Sequence, residues 1–147
     1  MGILDRLRQS QPESRIDAPL AIMVILSSCI QYDGQVSDRE LQKLRSILAW
    51  SPIYASNTSD EDDRIIEAAD SLIERLGVNE AVDLAVRSLP NHLRTTAVCF
   101  AFDLVHADGN VEEDEKEFLS VIANKAGLPA EILDAIELVT FAKYTRA

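Results

Sequence analysis

The sequence is poor in the residues that build sheets, disulfide frameworks and membrane spans. Five glycines, five prolines, four phenylalanines, three tyrosines and one tryptophan in 147 residues are too few turn formers and aromatics for a β-sandwich or barrel. The two cysteines, Cys29 and Cys99, make neither a CxxC pair nor a dense framework, and both lie in apolar runs, which reads as reduced, buried thiols. Basic residues are scarce too. With 14 Lys and Arg against 25 Asp and Glu, the net charge of −11 repels phosphate backbones and argues against nucleic acid as a partner. The longest unbroken apolar run, Ala18 to Leu26, is far short of the ~20 residues a membrane-spanning helix needs. The first residues show no cleavable signal pattern, and Arg6 stands where a myristoylation signal wants Ser or Thr, so the expected location is the cytoplasm.

What is present is apolar surface in helical patterns. At 47% hydrophobic residues the chain can bury a core of its own, and one domain is expected. Residues 1 to 17 read as a short amphipathic helix and a polar linker, and residues 18 to 147 as an all-α domain of about seven helices. Leu20 to Tyr32 is apolar almost all round, which belongs in the middle of a core. Asp33-Gly34 ends it, and Ser37-x-x-Glu40 is a capping box for a helix to about Trp50. After a loop from Ser51 to Thr58, Ser59 and the acidic run Asp60 to Asp63 start a helix that ends at Leu76-Gly77. Further helices are expected over Glu80 to Leu89, His92 to Ala107, Glu112 to Ala126, and from Pro129 to about Lys143.

Two of these segments repeat one pattern. A shift of 108 − 33 = 75 residues lays Asp33-Gly34-Gln35-Val36 on Asp108-Gly109-Asn110-Val111, with Glu40 on Glu115, Leu44 on Leu119 and Ile47 on Ile122. This predicts an internal duplication of a helix-loop-helix unit, the first over about 18–50 and the second over about 93–126. The pattern Asp-Gly-x-Val-x-x-x-Glu is the second half of an EF-hand loop. Its first half is absent, because Cys29 and Gln31, or Leu104 and His106, stand where oxygen ligands would be. Helix phase sets two carboxylates apart. Glu115 shares the stripe of Phe118, Leu119 and Ile122, and Glu40 that of Leu44 and Ile47, so both should point inward and meet a cation, a basic side chain or backbone amides. Asp108 can close on Glu112 and Glu115 to form a local oxygen cluster, whereas Glu113, Asp114 and Glu117 read as a solvated helix start. Asp103 and His106, three apart on the preceding helix, could join a metal site or form a plain hydrogen-bonded pair. No nucleophile stands with a base, no Gly-rich loop cradles phosphate and no paired Glu-x-x-His occurs, so a non-enzyme is expected.

The N-terminal MGILDRLR, the two Asp-Gly-x-Val-x-x-x-Glu loops and the stretch DLVHADGNVEEDEKEFLSVIANKAGLPAE together resemble the TerB family of tellurite-resistance proteins. The first loop, Ser37-Asp38-Arg39-Glu40, is less acidic than the family pattern. The resemblance implies an all-helical fold with an internal duplication and a role in bacterial resistance to tellurite and other chemical stresses. It also implies an acidic site for a divalent metal cation of unspecified identity. Carried over by position, the metal candidates are Asp33, Glu40, Asp103, Asp108, Glu112 and Glu115. Implied partners are proteins of a stress-response complex, some membrane-associated, which would place the protein at the periphery of the inner membrane; a homo-oligomer is also compatible. Related domains in co-chaperones imply the alternative of a pure docking module with no metal.

Overall fold

The computed structural model describes residues 15–32, 34 and 36–147. The short helix expected at residues 1 to 8 and the site candidate Asp33 therefore lie outside the described residues. Asp17 Oδ1 accepts from the Leu20 amide at 3.1 Å, and Pro19 sits in the first turn, where no amide is needed; these begin α1 (Ala18–Gln31). Ser37 Oγ accepts from the Glu40 amide at 3.1 Å and starts α2 (Asp38–Trp50). The others are α3 (Ser59–Leu76), α4 (Val78–Ser88), α5 (Asn91–Val105), α6 (Glu113–Lys125) and α7 (Ala130–Lys143). No strand occurs among the described residues, and the expected all-α class is observed.

The helix ends differ from expectation where a better cap or a tighter turn was available. Thr58, not Ser59, caps α3, its hydroxyl accepting from the Glu61 amide at 3.2 Å. The Gly77 amide closes α3 on Ile73 while the Gly77 carbonyl already accepts from Ala81, so α4 starts at once and not at Glu80. The expected loop at Ser51 to Thr58 is a run of turns, with Tyr54 and Ala55 amides bonding back to the Ser51 carbonyl. Tyr54 is fully buried and its hydroxyl donates to the Pro19 carbonyl at 2.7 Å, which ties this segment to the start of α1.

Every residue from Ala21 to Ile30 of α1 is buried, and α3, α4, α5 and α6 all pack against this helix. That is why its sequence shows no polar face. Its buried Ser28 satisfies its hydroxyl on the Val24 carbonyl at 2.7 Å. Helices α2 and α6 bury one stripe each, Leu44, Ile47 and Leu48 in α2 and Phe118, Leu119 and Ile122 in α6. Among the described residues, no helix is long and apolar enough to cross a membrane.

Candidate functional site

The loops that follow α1 and α5 lie side by side. Tyr32, just past α1, stacks on Phe118 of α6 with centroids 4.3 Å apart, and Arg39 of α2 donates to the Asp108 carbonyl at 3.5 Å. Gly34 and Gly109 take φ values of +73° and +81°, a region a side chain resists, and each loop leads within a few residues to a new helix start, at Ser37 and at Glu112.

Glu40 is 7% exposed while its neighbours Asp38 and Arg39 are exposed, as its phase with Leu44 and Ile47 requires. Glu115 is half-buried, whereas Glu113, Asp114 and Glu117 are exposed. Both inward carboxylates act on one atom. Burial, then the charge of Glu40, then that of Glu115 push the Cys29 thiol above its ordinary pKa, so the charges of both carboxylates are felt at α1.

The remaining candidates lie elsewhere or are otherwise engaged. Asp108 Oδ1 accepts from the Asn110 amide at 3.0 Å, holding its own loop. Glu112 is exposed at the start of α6, and its amide donates to Glu115 Oε1 at 3.4 Å, the return half of a capping box and a long bond. Asp103 and His106 take separate partners. Asp103 binds Lys143 of α7 at 2.5 Å and the Tyr144 hydroxyl at 3.5 Å, and His106 Nδ1 lies 2.8 Å from the Phe102 carbonyl. Among the described residues, no three His, Cys, Asp or Glu side chains stand close enough together to hold a metal ion. A cation held through Glu40 or Glu115 would therefore have to keep most of its water, as magnesium does with one or two carboxylates; calcium, with its six to eight oxygens, would not be served. Cys29, disfavoured as a thiolate, is a poor ligand.

Two further features carry no sequence motif. The C-terminal segment crosses the second loop: the Tyr144 ring lies 5.5 Å from Lys43 Nζ, and a Cβ at position 109 would stand 2.6 Å from Arg146 Nη2. Between this segment and α2 lies a polar cleft of about 370 Å³ lined by Arg39, Gln42, Lys43, Ser46, Ala107 and Tyr144. The spacing of Arg39 and Lys43 is visible in the sequence, but their meeting with Tyr144 is not. On the other side of α5, Phe102, His106 and Leu119 face Leu138 and Phe141 of α7 across a cleft of about 530 Å³.

No curated protein and no solved structure matches the chain at a significant level. The family model described as tellurite resistance protein TerB matches residues 19–138, which takes in α1 from its second residue, all of α2 to α6 and most of α7. The chain belongs to the TerB family.

Proposed function

We propose that this TerB protein is a non-enzymatic component of the response to tellurite and related chemical stress, and that its two-loop acidic site binds a hydrated divalent cation. The observation that supports this reading is that Glu40 is buried and Glu115 half-buried while Glu113, Asp114 and Glu117 are exposed, since carboxylates turned inward favour a cation that offsets their charge. Glu112, exposed at the start of α6, is linked to Glu115 through its amide. A binding role also suits the thiols: Cys29 and Cys99 are free and both are held above their ordinary pKa, so neither is poised as a nucleophile or redox donor.

Calorimetry with magnesium, manganese, calcium and zinc on chelator-treated protein tests the reading. A divalent cation should bind, and Glu115→Gln should weaken it at least tenfold, about 1.4 kcal/mol, because a charged oxygen ligand is lost. Glu117→Gln, on the exposed face, should change it little. No heat with any of the four, or equal effects at positions 115 and 117, would remove the site.

The second reading is a docking module without metal, in a complex with other stress-response proteins. Leu138 and Phe141 favour it, being 69% and 73% exposed at the mouth of an apolar cleft. In that case the carboxylates serve the caps and the fold, and metal leaves the melting temperature of every variant unchanged.

A further inference from the structure

We infer that the cleft between α2 and the C-terminal segment binds a small oxyanion. Arg39 and Lys43 stand one turn apart on the same face of α2, where like charges repel unless something negative lies between or beside them. In a chain with 25 acidic and 14 basic residues, a carboxylate partner for each would be easy to supply. Among the described residues, none is supplied. The ion pairs seen between described residues include Lys116 with Glu113, Lys125 with Asp83 and Lys143 with Asp103, and neither Arg39 nor Lys43 pairs with a described carboxylate.

Both cations are instead positioned by neutral groups. The Asp108 carbonyl accepts from Arg39 Nη1, and the Tyr144 ring, 5.5 Å away, lies under Lys43 Nζ. Such contacts orient a charge without cancelling it. The Tyr144 hydroxyl is turned away towards Asp103, so the ring acts as a platform, while Gln42 and Ser46 line the same cleft with neutral polar groups. No carboxylate lines it. The nearest one in sequence to the lining residue Ala107, that of Asp108, accepts from the Asn110 amide in its own loop. Arg146, packed on Gly109, adds a third cation beside the same loop.

A guanidinium fork with an ammonium point charge beside it is the donor set that recognises a planar, pyramidal or tetrahedral oxyanion. The volume of about 370 Å³ exceeds a bare ion and leaves room for its water or for the group that carries it. Two sources share this chemistry, inorganic phosphate or a phosphorylated group, and an oxyanion of tellurium.

Amide chemical shifts of the full, isotope-labelled chain test the inference, with chelator present and ionic strength held constant with chloride. Phosphate and tellurite are titrated separately. At least one should give a saturable shift at the amides of Lys43, Ala107 and Tyr144; saturation by phosphate assigns the phosphate class, and saturation by tellurite alone the tellurium class. The double variant R39Q/K43Q should bind at least tenfold more weakly with the rest of its spectrum unchanged, and R39K should keep more affinity than R39Q. The inference is overturned if neither anion gives a saturable shift there, or if the double variant binds within twofold of the parent chain. Because no cation is present, either failure leaves the carboxylate pair of Glu40 and Glu115 untouched.

Discussion

A thiol placed under two carboxylates loses acidity twice, once because burial disfavours its charged form and again because each neighbouring charge repels it. Cys29 has both effects, with burial the larger. Cys99 is raised by burial and by Asp103, but Lys143 pulls it back, and it is only half-buried. Alkylation proceeds through the thiolate, so at pH 8 the structure predicts that iodoacetamide labels Cys99 well before Cys29. Glu115→Gln removes one of the charges facing Cys29 and should speed its labelling, whereas Glu117→Gln should not. Mass spectrometry of timed samples reads both rates. Equal labelling of Cys29 in the two variants would mean that Glu115 does not face it.

At the scale of the elements, the two loops solve one problem in the same way. Each must stop a helix and start another within a few residues, and each passes through a glycine with positive φ, Gly34 at +73° and Gly109 at +81°. An alanine there meets the clash between Cβ and the backbone that makes left-handed conformations cost roughly 1–2 kcal/mol. Around Gly34 there is open space, and around Gly109 the nearest atoms belong to the far end of Arg146, which can swing aside. Gly34→Ala and Gly109→Ala should therefore destabilise the protein by about the same amount, about 1–2 kcal/mol, in urea denaturation. Such equality is what a duplicated unit requires; a cost at only one of the loops would count against their equivalence.

For the molecule as a whole, apolar side chains are most deeply buried on α1 and most exposed on α7. Leu26 is fully buried on a helix that four others surround, so Leu26→Ala should cost about 2–5 kcal/mol. Leu138, at 69% exposed, packs on little, and Leu138→Ala should stay within about 0.5 kcal/mol of the parent. Thermal and urea denaturation of the two variants checks the contrast, and a cost above 2 kcal/mol at Leu138 would show that its side is already covered, for instance by a second copy. The charge of −11 opposes association of such copies at low ionic strength.

The sequence by itself determined the helical class, the burial of α1 on all sides and the inward phase of Glu40, because these follow from periodicity within one helix. It also located helix ends at Ser37, Gly77 and Pro129, because caps act over three or four residues, but it began the first helix at Leu20 where Asp17 caps it at Ala18. Thr58 for Ser59 and Val78 for Glu80 are errors of one or two residues, made where two adjacent groups could cap or where one glycine replaced a loop. Only the tertiary structure decided which side chains meet across the fold. Asp103 looked like a partner for His106 three residues away, yet it pairs with Lys143, 40 residues on, because α7 lays a cation beside it. Arg39 reaches the Asp108 carbonyl 69 residues away, and Lys43 finds the Tyr144 ring near the other end of the chain. Local spacing tells which face of a helix a residue occupies, but which face lies opposite depends on packing among all the helices, and that packing lets the charges of Glu40 and Glu115 reach Cys29 and, among the described residues, leaves Arg39 and Lys43 without a carboxylate partner.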